Sequence, residues 1–439
     1  MKKIVLSTIA ALAVSATALS AAQQFYVDEK GQVFTTSAPD RIAIENKESS
    51  VLSKAKSLEF SGTHYFGYTN TRPTTRLDVP SGDQSNYAGN SGGFEMRRNY
   101  VQVKGFFNDK DYWRVTFDAT KELASDPGTD GKTKGYSEVF VKYAYLYLDG
   151  ILPYTGVEFG IAHRPWIDYE EHNGWFYRSF NKVALEEKGT ATESGVDLVN
   201  SADLGVNFKT KTDVFSSEIG IFNGEGYHAD KGGANQENDE KLSVEWRLTG
   251  HLIGSGKKVG KQDRTKDSYA HISTFGLLSA NHKDDKGEFD QSSNSALKVE
   301  YDRAFYGIHA VYNQPLFLIA AQYVTAEDEA RGGNTTAVTG WDKREYDLFS
   351  VNAEIRPMKD WTIIGRYDDY KWDDTAVNGS NMSSSTEGTK MIAALAYKYN
   401  KYVSFIGSAK FIEEESGATT KYDSGESKDV YMLTTEVKW

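Results

Sequence analysis

Side chains able to do acid–base, nucleophilic or metal chemistry are present in this sequence but are not assembled into a recognisable motif. Eight histidines stand at 64, 163, 172, 228, 251, 271, 282 and 309. None has the H-E-x-x-H spacing or another metal-ligand spacing. There is no cysteine, and no G-x-S-x-G elbow, Walker loop or dinucleotide fingerprint occurs. Glu170 and Glu171 could be drawn as the acid and base of a glycosidase. They stand among so many other charges that a solvated loop is the simpler reading. His271 and the many serines make no triad pattern. The sequence therefore calls for no enzyme, no cofactor and no metal. What does concentrate is fixed charge beside large rings, in 164–200, RPWIDYEEHNGWFYRSFNKVALEEKGTATESGVDLVN. Trp166, Trp175, Phe176, Tyr177 and Phe180 would pack on an apolar wall. Arg164, Asp168, Glu170, Glu171, Arg178 and Lys182 would then face water. In a narrow passage with low-dielectric walls, such charges set ion preference.

The elements that must position this segment read as strands. Apolar and polar residues alternate in VQVKGFF (101–107), DYWRVTFDAT (111–120), LSVEWRL (242–248) and VSFIGSAKF (403–411), and period two means β-structure. Sixteen strands are expected: 57–70, 93–107, 111–121, 136–149, 154–163, 201–211, 213–223, 241–254, 268–281, 294–312, 315–327, 345–356, 360–372, 388–399, 401–414 and 428–439. Segment 294–312 is the one that could break, near Arg303-Ala304. Connections alternate between short links (108–110, 150–153, 212, 313–314, 357–360, 400) and long Gly-, Ser- and Asp-rich ones. Transmembrane barrels show this asymmetry, with tight turns at one mouth and long loops at the other, whereas a soluble sandwich has no reason for it. One link, GSGKKVGKQDRTK (255–267), falls on the short side but is long. Rings beside the short turns (Phe106, Phe107, Tyr112, Trp113, Tyr312, Phe317, Trp361, Tyr397, Tyr399, Tyr402) suit an interfacial girdle. If the odd residues of 101–107 face lipid, parity places Arg98, Lys104 and Arg114 on the pore wall. The same argument places Lys142, Arg247, Arg356 and Arg366 there. Asp118, Glu245, Glu354 and Asp368 share those faces, so the wall is mixed in sign.

Residues 1–22 have the form of a signal peptide: Lys2 and Lys3, an apolar stretch from Ile4 to Val14, then small residues to Ala22. Residues 23–56 read as a polar, irregular periplasmic lead-in with a turn at Glu29-Lys30-Gly31, and 57–439 as the barrel domain. Beyond the signal, no apolar run reaches the ~18 residues a membrane helix needs. Alternating barrel strands average out, consistent with a mean hydropathy of -0.56. The composition is strand-rich, with 27 Tyr, 22 Phe and only 8 Pro. A net charge of -12 argues against nucleic acid as a partner. Acidic loop tips such as ENDE at 237–240 suit divalent cations bridging lipopolysaccharide.

The chain ends DVYMLTTEVKW. Tyr431, Leu433, Val437 and Trp439 lie on one parity, a pattern similar to the terminal signature that the barrel assembly machinery reads. From about Ser57 the chain resembles the phosphate-selective porin O/P family, through FEMRRNYVQVKGFFNDKDYWRVTFDAT (94–120) and VEFGIAHRPW (157–166). The resemblance implies a sixteen-stranded homotrimer in the bacterial outer membrane, among lipid and lipopolysaccharide. It also implies a third long loop, 164–200, folded into the lumen. The expected function is a diffusion channel for small hydrophilic solutes and ions, with an anion or phosphate preference. The alternative is a surface binding or adhesion protein that uses the barrel as a scaffold.

Overall fold

The computed structural model describes residues 26–28, 33–34, 36–39, 41–43, 55–73, 91–122, 136–187, 194–224, 226, 242–284, 289–290, 295–296, 299–330, 341–376, 384–416 and 427–439. The signal segment, the Glu29-Lys30-Gly31 turn and the acidic tip at 237–240 lie outside the described residues. The chain divides after Lys56 into two units. The first was expected to be irregular. Its described residues instead include a small antiparallel sheet of Val33–Phe34, Tyr26–Asp28 and Arg41–Ala43. Strands of two or three residues are too short for alternation to reveal them.

The second unit is a closed barrel of sixteen antiparallel strands. They are β1 (Ser57–Pro73), β2 (Ser91–Phe106), β3 (Tyr112–Glu122), β4 (Tyr136–Leu152), β5 (Thr155–His163), β6 (Ala202–Lys211), β7 (Phe215–Phe222) and β8 (Ser243–Ile253). The second half holds β9 (Tyr269–Asp284), β10 (Val299–Gln314), β11 (Phe317–Ala330), β12 (Trp341–Met358), β13 (Trp361–Ala376), β14 (Ser384–Lys398), β15 (Val403–Ser416) and β16 (Lys428–Lys438). Each pairs with its chain neighbours, and β16 closes on β1 with Val437 opposite His64. Closure leaves no open edge, the condition for spanning lipid with strands. The segment from Arg303 to Ala304 is continuous within β10.

Alternation sets the two faces. Outward side chains such as Phe60, Val139, Phe159, Ile308 and Leu433 are exposed and form the apolar surface a bilayer requires. Short turns close locally. Asn108 Oδ1, for example, accepts from the backbone N–H of Lys110 (2.8 Å) and Asp111 (2.7 Å), an Asx turn. Tyr312, Phe317, Tyr399 and Tyr402 beside such turns are exposed. The inner face is not uniformly polar. Phe275, Phe305, Val324, Leu348, Ile364, Ile392 and Ile406 point inward and are buried. They need an apolar partner inside the barrel, and the segment after β5 supplies it.

Candidate functional site

That segment is the third long connection, and it folds into the lumen. Pro165 begins a helix, α1 (Pro165–Asn173), where its missing N–H costs nothing. Gly174 and Trp175 end it, both donating to Glu170 O at 2.9 and 2.8 Å. The Trp166 ring lies flat on Phe275 with centroids 3.5 Å apart. Trp166, Trp175, Tyr177, Phe180 and Leu185 join the inward residues of β9 to β16 in one buried cluster. Polar side chains fix the register. Tyr269 Oη donates to Asn173 O (2.9 Å), Asn352 Nδ2 to Gly174 O (2.9 Å) and Gln322 Nε2 to Glu170 Oε1 (2.7 Å). The side of the barrel interior facing β9 to β16 is therefore a core.

The charges of this loop occupy different places. Arg164 is buried at its start and bonds Asp203 and Glu245, both at 2.8 Å, which pins the loop to β6 and β8. Asp168 meets Lys209 at 3.2 Å. Burial opposes its charge, but Lys209, His163 and His172 hold the carboxyl well below the usual range. Glu170 faces the core, and burial pushes its carboxyl up to about 8. Arg178 pairs with Glu171 and Glu186. Burial also works against Glu186, yet Arg178 outweighs it and brings that carboxyl down to about 2. The backbone carbonyl of Lys182 accepts from Arg366 at 2.7 Å.

Most wall cations have a carboxylate. Arg98 pairs with Asp118 (3.0 Å), Arg247 with Glu218 (3.2 Å), Arg356 with Glu354 (2.7 Å), and Arg366 with Asp368 and Glu187 (both 2.8 Å). Lys142 donates to Tyr100 Oη at 2.9 Å. Lys104 lies over the Tyr112 ring at 5.3 Å, and Arg114 over Tyr143 at 4.8 Å. Neither Lys104 nor Arg114 makes an ion pair among the described residues.

The long link between β8 and β9 also turns into the barrel mouth. Asn313 Nδ2 donates to Arg264 O (3.0 Å) and Asp267 O (2.7 Å). The Arg264 guanidinium bonds Glu354 at 2.9 Å and lies 4.2 Å from the Phe176 ring centroid. One side chain thus ties the link, the wall and the third loop together. Between these elements, β1 to β5 and the wall from β12 to β16 remains a cavity of about 720 Å³. Its lining holds Arg114, Glu171, Arg178, Arg264 and Arg356, with Tyr65, Tyr100 and Tyr143. In all it carries eight Arg and Lys against four Asp and Glu, so the local balance is basic although the chain is acidic.

Solved structures share this architecture. An in-vitro folded OmpT of Vibrio cholerae, described as a trimer form, superposes with TM-score 0.52 at 12% identity, over 87% of this chain and 99% of that one. An anion-selective porin from Comamonas acidovorans gives 0.54 at 10%, over 87% and 99%. The outer-membrane channel DcaP of Acinetobacter baumannii gives 0.51 at 9%, over 87% and 97%. The fold is that of outer-membrane porin barrels. No family model matches the sequence, and no curated protein matches it. Within the porin fold, the phosphate-selective O/P family is not singled out.

At the C-terminus, Trp439 exchanges backbone hydrogen bonds with Gly62 (2.9 and 3.0 Å). Its Nε1 donates to His64 Nε2 at 3.0 Å. Tyr431 and Leu433 are exposed on the outer face, and Val437 is half-buried. Sequence reasoning missed Arg264 as a lumen residue, though the length of its link was a visible signal. It also missed Glu187 and Lys390, which pair inside the barrel. They are 203 residues apart, and no local pattern connects them.

Proposed function

We propose that this protein is an outer-membrane porin, a passive diffusion channel for small hydrophilic solutes with a mild preference for anions. The observation that carries the reading is the cavity beside the third loop, whose lining includes Glu171 and Arg178 and holds twice as many bases as acids. Fixed charges in a narrow, low-dielectric passage act on every ion that enters. The four wall carboxylates Asp118, Glu245, Glu354 and Asp368 are all taken up in ion pairs. Lys104 and Arg114 keep a net positive field. A phosphate filter would need a longer file of such unpaired cations, so the preference follows from charge in general. The trimer form of OmpT supports a homotrimeric assembly here. Residues 1–22 would direct export, and Trp439 with its strand would be the signal for insertion.

The test is single-channel recording in a planar bilayer under a salt gradient. Discrete steps, with a reversal potential of the sign for anions, are expected. Silence from a folded, heat-modifiable barrel would refute the channel and favour a scaffold for surface binding. A cation-selective reversal potential would refute the electrostatic argument alone.

A further inference from the structure

Arg114 is held rigidly, but only by neutral partners. Its Nε donates to Thr116 Oγ1 at 3.0 Å and its Nη1 to Tyr145 Oη at 3.2 Å. His163 Nε2 lies 3.4 Å from Nη1. The guanidinium sits over Tyr143 at 4.8 Å and Tyr145 at 5.7 Å. Its Nη2 makes no hydrogen bond among the described residues. Directly across the ladder stands Lys104, whose other cross-strand neighbour, Glu59, forms no ion pair with it. Like charges facing each other on adjacent strands destabilise a sheet. The barrel gains nothing in stability from this pair, in contrast with Arg98, Arg247, Arg356 and Arg366.

The surroundings of Arg114 are rings. Tyr65, Tyr100 and Tyr143 line the same cavity, and the third loop adds Phe176. Tyr65 and Tyr100 stand edge to face with centroids 6.3 Å apart. A hydrated inorganic anion would use the charge and leave the rings idle. A planar apolar body would use both, through offset or edge-on ring contacts. The unengaged Nη2 of the guanidinium can donate a charge-assisted hydrogen bond to a carboxylate oxygen. The cavity volume also falls within the range of small-molecule sites.

We propose that this cavity is a binding site for a small aromatic carboxylate, with the carboxylate on Arg114 and the ring among Tyr65, Tyr100 and Tyr143. The proposal rests on the channel reading in that the route would pass this site, which makes the ligand a preferred solute.

The experiment is isothermal titration calorimetry of the full-length folded barrel in detergent. The titrants are sodium benzoate, acetate, phosphate and glucose, and bilayer conductance is recorded on the same preparation. Benzoate should bind at least about tenfold more tightly than acetate or phosphate, about 1.4 kcal/mol, and glucose should not bind. Arg114→Gln should abolish the benzoate signal. Tyr143→Leu should weaken benzoate and leave acetate unchanged, which separates ring recognition from misfolding. Equal binding of acetate and benzoate, binding of glucose, or full retention in Arg114→Gln would each overturn the proposal. A conducting pore without benzoate binding sinks this site and leaves the channel. Benzoate binding without conductance sinks the channel and leaves the site.

Discussion

Replacing Arg264 with Ala should widen the channel at a moderate cost to stability. Arg264 spans 2.9 Å to Glu354 and 4.2 Å to the Phe176 ring. Its side chain is only 23% exposed. Deleting it removes one hydrogen bond to a charged group, about 1.5–3 kcal/mol, and two cation–π contacts, to Phe176 and Tyr177, of about 0.5–1 kcal/mol each. The larger penalty for a stranded buried charge does not apply, because Arg356 still holds Glu354 at 2.7 Å. The link keeps its attachment at Asn313, so its middle is released while its end stays. Single-channel conductance should rise, with a loss of about 2–3 kcal/mol or less on unfolding in denaturant, since partial exposure weakens both terms. Lys266→Ala is the control: its partner Asp263 lies in the same link, so anion preference should fall while conductance holds. Conductance in Arg264→Ala indistinguishable from wild type would refute the view that the link narrows the mouth.

Four further outcomes are expected. Glu170 keeps its proton to about pH 8 in the fold, whereas the unfolded chain loses it near the ordinary carboxylate value. Its contribution is thus complete below about pH 4 and falls by at most about 1.4 kcal/mol per pH unit up to about 8; urea titrations should show Glu170→Gln losing that slope, and an unchanged slope would sink the assignment. Gly307→Val should destabilise the barrel by about 1–3 kcal/mol, because a Cβ there would fall 2.1 Å from the Phe275 ring that carries Trp166; unaltered thermal unfolding would contradict this. Lys104→Ala with Arg114→Ala should move the reversal potential toward cations, and no movement would remove both from the selectivity account. Trp439→Ala loses the bond to His64 and the cover over Gly62, so the yield of heat-modifiable barrel in the outer membrane should drop; wild-type yield would show that the terminal ring is dispensable.

The strands, their number and the asymmetry of their connections were legible in the sequence. A period of two, turn residues and link length are local properties, and a barrel in which each strand pairs with its chain neighbours needs no long-range information. The same parity set Tyr431 and Leu433 outward on β16. What each charge does was not legible. Arg164 stands four places before Asp168 and Glu170 two places after it in one charged run, yet Arg164 is locked between β6 and β8 and Glu170 faces the core. Arg366 and Glu187 meet across 179 residues. Whether a lumen cation is neutralised or left to act on a solute depends on which carboxylate arrives beside it from another part of the chain. Alternation tells a residue to face inward, and only the filled interior decides whether inward means water, a salt bridge or a hydrophobic core.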